Sequence, residues 1–293
     1  MTQVRTHPLP IQFAGEAGPL AADRWPADNP RGSVVMLHGG GQTRHSWDHA
    51  ACDLAADRWT VYTVDARGHG DSAWSPEGDY GIDALVRDTQ RVLEQIPGID
   101  DTPGVPPVLV GASVGGMTSI VAEGEFGPCA RALVLVDITP RAEPDGVRRI
   151  SEFMRGAPNG FDSLEDVADA VAAYQPHRAR PANIEGLRKN VRMQEDGRLY
   201  WHWDPQFHRS GSNLDDPVGN YERLVRAAAR ITVPTLLIRG GKSDVVSLEG
   251  VAELRALIPH AIYASAVDAG HMVAGDDNAV FVSEVAEFLD HLT

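Results

Sequence analysis

The stretch VLVGASVGG, residues 108–116, decides the fold of this chain. Its opening residues are apolar and predict a short buried strand, and residues 115–123 predict a helix. Between them, Gly111 to Gly115 match the pattern G-x-S-x-G, in which a serine lies at a sharp strand-to-helix turn. Glycines on both sides let the backbone approach itself closely and leave the hydroxyl clear of the sheet. Ser113 is therefore the candidate nucleophile, and the alternative is a glycine-rich turn whose serine only caps the helix.

Short apolar runs alternate with helical patterns along the rest of the chain. The predicted strands are 33–37, 60–64, 108–110, 132–136, 235–239 and 261–265, and the predicted helices are 47–56, 82–95, 115–123 and 280–292. This alternation is typical of an α/β fold with a mostly parallel central sheet flanked by helices. Residues 140–230 contain helical segments but no strand of this kind. We therefore expect a core formed by residues 1–139 and 231–293, with a mainly helical cap, 140–230, inserted after the strand 132–136, the sixth strand of the expected fold.

The segment His38-Gly39-Gly40-Gly41 follows the predicted strand 33–37. Nucleophilic attack on a carbonyl produces an oxyanion, which requires preorganised N–H donors. We expect the backbone amides of Gly40 and of Val114, the residue after the nucleophile, to supply them. His38 is expected to shape this loop by hydrogen bonding and not to act as a base.

A serine nucleophile needs a general base and a carboxylate that orients it. His271 lies between the last predicted strand and the last helix, where its ring can reach Ser113. Asp244 follows the strand 235–239 and gives the order Ser, Asp, His expected for such a scaffold. Asp137, directly after the strand 132–136, is the alternative carboxylate.

Five sequence blocks together resemble the α/β-hydrolase superfamily, in particular its cofactor-free esterases, enol-lactonases, perhydrolases and C–C hydrolases. They are HGGG from His38 with Trp47 downstream, Asp65 with RGHGDS from Arg67, GASVGG from Gly111, GGKSD from Gly240 and DAGH from Asp268. The resemblance implies a triad of Ser113, Asp244 and His271, an oxyanion hole at Gly40 and Val114, and a structural role for residues 67–72, including His69. Epoxide hydrolases and haloalkane dehalogenases of this fold use an aspartate nucleophile, so the serine at position 113 argues against both.

The predicted cap is expected to line and close the pocket. We predict substrate contacts at Gly41, Phe153, Trp201, Trp203 and Met272, with the alternative that the aromatic residues only pack the cap onto the core. Four cap arginines either bind a substrate carboxylate or form solvated helix surface: Arg148, Arg149, Arg188 and Arg192.

Composition excludes several other classes of function. The formal net charge is −15 and no run of lysine and arginine occurs, so no nucleic-acid partner is expected. The sequence contains neither a signal-peptide pattern nor an apolar stretch of membrane-spanning length, which predicts a cytoplasmic protein with no membrane partner. Cys52 and Cys129 lack metal-ligand spacing, and reduced thiols are expected. We expect no metal and no cofactor, a small-molecule substrate, and a monomer or homodimer.

The predicted activity is that of a carboxylic ester hydrolase. Ser113 attacks an ester, lactone or related carbonyl, and water then cleaves the acyl-enzyme. Hydrolytic C–C cleavage and cofactor-free perhydrolysis remain alternatives on the same triad. A ligand-binding, receptor-like protein on a hydrolase scaffold is the non-enzymatic alternative.

Overall fold

An eight-stranded sheet forms the centre of the molecule, seen in a computed structural model. The described residues are 7–99, 102, 104–175, 180, 183–208 and 217–292, without the side chains of residues 208 and 217–219. The strands of the sheet are β1 (Leu9–Ala14), β2 (Pro19–Trp25), β3 (Gly32–Leu37), β4 (Trp59–Val64), β5 (Val108–Ala112), β6 (Ala132–Val136), β9 (Thr235–Gly240) and β10 (Ile262–Ala266). Their order is β1-β2-β4-β3-β5-β6-β9-β10.

The last six strands in this order run parallel to one another, and β2 and β1 continue the sheet in antiparallel pairing. The parallel strands therefore end at one edge, which we call the carboxyl edge. The residues that directly follow β3, β5 and β6 at this edge are His38, Ser113 and Asp137. This arrangement is the α/β-hydrolase fold that the sequence predicted, and it brings together side chains that lie far apart in the chain.

Helices cover both faces of the sheet. They are α1 (Asp48–Ala56), α2 (Ile82–Gln95), α3 (Val114–Phe126), α4 (Pro144–Arg155), α5 (Leu164–Tyr174), α6 (Pro217–Ala228), α7 (Leu248–Leu257), α8 (Val273–Asp276) and α9 (Asn278–Asp290). Two buried apolar clusters lie on opposite faces, because successive side chains of a strand alternate between them. In β3, for example, Val35 belongs to one cluster, and Val34 and Met36 belong to the other.

The insertion between β6 and β9 contains α4, α5, α6 and a short antiparallel hairpin, β7 (Val191–Met193) with β8 (Leu199–Trp201). Helix α6 packs on α3, and its Leu224 and Ala227 belong to the main core cluster. The other elements of the insertion contribute to a separate apolar cluster that includes Met154 and Trp203.

Both cysteines carry free thiols in this structure. Burial, followed by the nearby Glu123 carboxylate, raises the pKa of Cys129 to about 12. Within the described ranges, no helix has the length and apolar character required to cross a bilayer.

Candidate active site

Ser113 occupies the predicted turn between β5 and α3. Its backbone lies at φ 48° and ψ −115°, a conformation that residues other than glycine rarely adopt. A β-carbon at Gly111 would collide with the carbonyl oxygen of Gly115, and one at Gly115 would collide with that of Leu37. The two glycines are therefore required by close backbone approach, as the sequence pattern predicted.

The loop after β3 lies beside this turn. A β-carbon at Gly39 would lie 3.2 Å from Ser113 Cβ, and one at Gly40 would lie 3.7 Å from a methyl group of Val114. Among the described residues, the amides of Gly40 and Val114 donate no hydrogen bond. Two N–H groups close to Ser113 thus have no partner among the described residues, and they are the candidate donors for an oxyanion.

Buried imidazoles hold the peptide groups of this loop. His38 Nδ1 lies 2.8 Å from the oxygen of Gly39, and its Nε2 accepts a hydrogen bond from the Ala66 amide at 3.0 Å. The Gly39 carbonyl belongs to the same peptide group as the Gly40 N–H, so His38 fixes the direction of that N–H. This is the loop-shaping role expected for His38, and burial lowers its pKa, which keeps the ring neutral.

His69 and His202 extend the same arrangement toward the insertion. His69 Nε2 accepts the Gly41 amide at 3.1 Å, and His202 Nδ1 accepts the Gly70 amide at 2.8 Å. Burial is the largest cause that lowers the pKa of His202, to about 3. A neutral imidazole from the insertion therefore secures the loop that carries His69, and His69 has the structural role implied by the family resemblance.

Ion pairs anchor the rest of the segment 67–72. The buried Asp65 carboxylate accepts the amides of Arg44 and Asp71 at 2.6 and 2.9 Å and also binds the Arg44 guanidinium. Arg67 donates to Asp88 at 2.6 Å. These contacts explain why the RGHGDS block has a structural role and contributes no group to the cavity lining described below.

His271 approaches the carboxyl edge from the loop after β10. Its Nδ1 lies 2.7 Å from Oδ2 of Asp137, whose side chain is 0% exposed, and its own side chain is 13% exposed. A carboxylate only accepts hydrogen bonds, so in the neutral ring Nδ1 carries the hydrogen and Nε2 has the lone pair. His271 and Ser113 line the same cavity. The ring therefore has the tautomer that a general base requires.

The choice of Asp244 as the partner of His271 is corrected by these contacts. Asp244 instead binds the guanidinium of Arg149 in α4, and its side chain is 34% exposed. Asp137, the alternative, bonds His271. It follows β6 directly, and its buried side chain lies at the carboxyl edge of the sheet. Asp244 lies four residues beyond the end of β9, in a loop that reaches the insertion.

A cavity of about 560 Å³ opens above Ser113 and His271. All five residues predicted to contact substrate line it: Gly41, Phe153, Trp201, Trp203 and Met272. Met154 and Tyr174 line the cavity as well, whereas Phe161 packs against Trp201 with ring centroids 4.9 Å apart. The lining residues that sequence reasoning missed include Trp47, His49, Ile150 and Gln175, which carry no sequence signal because they belong to different helices and loops.

Four aromatic rings form one wall of the cavity. Phe153 stacks on Tyr174 with centroids 4.2 Å apart, and Trp201 stacks on Trp203 at 4.8 Å. Phe153 also contacts Trp201 at 5.2 Å, which joins the two pairs into a continuous apolar surface. Burial raises the pKa of Tyr174 to about 12, so its phenol is neutral. We call these four residues the aromatic wall.

The cationic groups of the insertion have partners of their own. Arg149 binds Asp244, Arg188 binds Glu185 at 2.6 Å, and Arg148 binds Asp145 at 2.9 Å. The guanidinium of Arg192 lies 5.7 Å from the ring centre of Trp74. Of the two cations that line the cavity in the described residues, Arg180 binds Asp169 at 2.9 Å and Lys189 lies 3.9 Å from Asp48. This pairing favours the surface interpretation of the four arginines.

Within the part of the chain that the structure describes, one group of side chains has the spacing of metal ligands. Potential ligand atoms of Asp23, His45 and Asp48 lie within 4.8 Å of one another. Arg44 Nε, however, lies 2.9 Å from Oδ2 of Asp23, the oxygen that is 3.8 Å from His45 Nδ1. A cation there would meet a guanidinium already bound to its ligand, and these residues do not form a convincing metal site.

Comparison with known proteins identifies the family. Residues 32–277 match the family model described as the alpha/beta hydrolase fold. The chain is 30% identical over 289 residues to the esterase Rv0045c of Mycobacterium tuberculosis, covering 97% of this chain and 90% of that protein. It is 29% identical to the mouse sn-1-specific diacylglycerol lipase ABHD11, covering 92% and 85% of the two chains.

The solved structures agree on the architecture. An alpha/beta hydrolase from Novosphingobium aromaticivorans superposes with a TM-score of 0.80 at 22% identity, covering 97% of this chain and 99% of that one. At this identity the likeness concerns the fold alone. The family match and the esterase relative show that this chain belongs to the α/β-hydrolase family and is a hydrolase.

Proposed function

We propose that this hydrolase cleaves carboxylic esters through an acyl-enzyme on Ser113, with His271 as general base and Asp137 as its carboxylate partner. The observation that carries the proposal is the hydrogen bond from His271 Nδ1 to Asp137 at 2.7 Å, on a ring that shares its cavity with Ser113. The names of the esterase and lipase relatives support ester chemistry.

The reaction begins when Ser113 Oγ attacks the carbonyl carbon and His271 Nε2 takes the hydroxyl proton. Negative charge then develops on the carbonyl oxygen, where the N–H groups of Gly40 and Val114 stabilise it. The C–O bond to the alcohol breaks, and the alcohol leaves with the proton held by His271. Water repeats the sequence on the acyl-enzyme and releases the acid and free Ser113.

We further infer that the acyl group is neutral and apolar. The aromatic wall offers rings and no charge, and the cavity of about 560 Å³ exceeds the needs of an acetyl group. The lining cations Arg180 and Lys189 are already paired with carboxylates. A substrate carboxylate would therefore enter the cavity without a matched partner, at the cost of its desolvation.

The test is hydrolysis of p-nitrophenyl acetate, butyrate, octanoate and hemisuccinate. We expect kcat/KM to rise from acetate to the longer neutral esters and to be lowest for the hemisuccinate. Ser113→Ala should lower kcat by about 10⁶-fold, because the covalent step is lost. Fluorophosphonate labelling of Ser113 provides an independent readout. Equal turnover by wild type and Ser113→Ala would refute the proposal, and a preference for the hemisuccinate would refute the inference about the acyl group.

A further inference from the structure

The loop between β9 and α7, residues 241–247, folds over Asp137. Three groups donate hydrogen bonds to this carboxylate: the Gly240 amide to Oδ1 at 2.9 Å, and the Ser243 hydroxyl and His271 Nδ1 to Oδ2 at 2.5 and 2.7 Å. Ser243 and His271 thus share one oxygen. Ser243 bonds one lone pair of Oδ2, and His271 bonds the other. The Ser243 bond therefore helps to set the direction of the lone pair that faces His271.

The direction of the Ser243 hydroxyl is itself fixed. Its oxygen accepts the amides of Val245 and Val246 at 3.2 and 3.1 Å. A hydroxyl has two lone pairs and one hydrogen, so with both lone pairs engaged the hydrogen points to Asp137. The serine amide donates to the Gly240 carbonyl at 3.0 Å, which holds the backbone in the turn. Ser243 therefore has one available arrangement, in which it is a donor to the carboxylate.

We propose that Ser243 is a positioning residue of the hydrolytic site, a locked hydroxyl that orients Asp137 toward His271 and disperses part of the carboxylate charge. The inference rests on the proposed function, because it requires Asp137 to be the partner of the general base. Charge dispersal has a chemical consequence. A carboxylate with fewer hydrogen bonds attracts the imidazolium proton more strongly, so loss of Ser243 should make His271 harder to deprotonate.

The neighbouring residue supplies a matched control. Asp244 lies next to Ser243 in the same turn but binds Arg149 of the insertion. A substitution at 244 therefore perturbs the same loop without removing a hydrogen bond from Asp137. Other charged groups also surround this loop. The Arg239 guanidinium donates to the carbonyl oxygens of Val246, Gly241 and Ser243 at 2.7, 3.2 and 3.4 Å. Asp276 accepts the Gly270 amide at 2.8 Å, and Lys242 pairs with Asp268 at 3.0 Å. All of them stay unchanged in the variants below.

The experiment compares Ser243→Ala, Ser243→Thr and Asp244→Asn with wild type on p-nitrophenyl butyrate across pH 5 to 9. Fluorophosphonate titration counts the active sites in each sample and removes any contribution from unfolded protein. For Ser243→Ala we expect kcat per active site to fall about 10- to 100-fold, the effect of losing one hydrogen bond to a charged group, with KM within about twofold. The acidic limb of kcat/KM should move to higher pH. Ser243→Thr, which keeps the hydroxyl, should recover kcat and the limb, and Asp244→Asn should match wild type.

Two results would overturn the inference. One is a Ser243→Ala enzyme with wild-type kcat and an unmoved acidic limb. The other is a fall in kcat without movement of the limb that Ser243→Thr does not recover, since a merely structural role predicts that pattern. Ser113→Ala and Asp137→Asn are measured in parallel. If these two variants lose activity while Ser243→Ala does not, only the role of Ser243 fails; if they remain active, the proposed function itself fails.

Discussion

Two aspartates at the carboxyl edge of the sheet have opposite surroundings. Asp137 directly follows β6, is 0% exposed and accepts hydrogen bonds from Gly240, Ser243 and His271. Asp244 belongs to the loop after β9, is 34% exposed and binds Arg149. The two strands are paired neighbours, so a few residues of loop separate a carboxylate that faces His271 from one that faces the insertion.

The difference indicates why Asp137, and not Asp244, suits the role of carboxylate in the proposed triad. Both residues have the right chemistry and both lie at the right edge. Only Asp137 has surrounding donors that fix its orientation and hold its charge without a cation, and a fixed acceptor is what keeps His271 in one tautomer. An exposed carboxylate paired with arginine is oriented by its cation and contributes little elsewhere.

The most direct test of the difference between Asp137 and Asp244 replaces each carboxylate by its amide. Asp137→Asn should lower kcat for p-nitrophenyl butyrate by about 10⁴-fold, because an amide no longer fixes the His271 tautomer or stabilises the imidazolium. Asp244→Asn serves as the matched control and should stay within about threefold of wild type. A large loss in Asp244→Asn with an active Asp137→Asn would reverse the assignment.

Burial of His202, the histidine that joins the insertion to the core, should make the free energy of unfolding depend on pH. His202 has a pKa of about 3 in the folded protein against 6.5 for an ordinary histidine. Below pH 6.5 the unfolded chain binds a proton that the folded protein does not, so stability falls as the pH falls toward 3. We expect this residue to cost about 3 kcal/mol of unfolding free energy by pH 4.

The measurement is urea unfolding of wild type and His202→Gln between pH 7 and pH 4. The glutamine can accept the Gly70 amide but does not titrate. The gap between the two unfolding free energies should therefore close as the pH falls. Parallel curves for the two proteins would show that protonation of His202 is not coupled to folding.

A third variant separates binding by the insertion from chemistry at the sheet edge. Trp201 is 9% exposed and stacks on Trp203 in the aromatic wall. Trp201→Ala should lower kcat/KM for p-nitrophenyl octanoate by about tenfold through lost apolar contact, chiefly in KM. Hydrolysis of the acetate, which is too short to cover the wall, should change less. An equal loss with both esters would indicate a general distortion of the site.

The smallest effect is expected on the Asp244 side. Arg149→Ala removes the ion pair between α4 and the loop after β9, and an exposed pair of this kind contributes at most about 1 kcal/mol. We expect a loss of stability within that limit by thermal unfolding and kcat within about twofold of wild type. A loss of kcat comparable to that of Asp137→Asn would show that Asp244 acts in catalysis after all.

The sequence predicted the parts of the molecule whose signals are local. The run ALVLV, residues 132–136, and the helical spacing of residues 82–95 coincide with β6 and α2, because buried parallel strands and amphipathic helices have clear patterns. β1 and β2 were missed. β2 contains Asp23 and Arg24, polar residues that reduce the apolar signal of a strand. β7 and β8 have three residues each, too few for a period to be read.

The candidate site also contains parts with a local sequence signal and a part without one. Ser113, His271 and the glycine loop follow from motifs, since turns and backbone donors demand particular residues at fixed spacing. The carboxylate did not follow, because the choice between Asp137 and Asp244 depends on where a loop places side chains from strands that pair only in the folded chain. The available signal was that Asp137 comes immediately after a buried strand, whereas Asp244 requires four further residues to reach the same edge.

The backbone conformation of Ser113 has a consequence for the thermal stability of the protein. A serine at φ 48° is held there by the glycines and strands around it, and such a conformation costs on the order of 1 kcal/mol or more. Glycine would adopt the same geometry freely but carries no hydroxyl. The protein thus retains a strained residue at a position where an unstrained one would raise the melting temperature. The surrounding sheet must be stable enough to offset that strain.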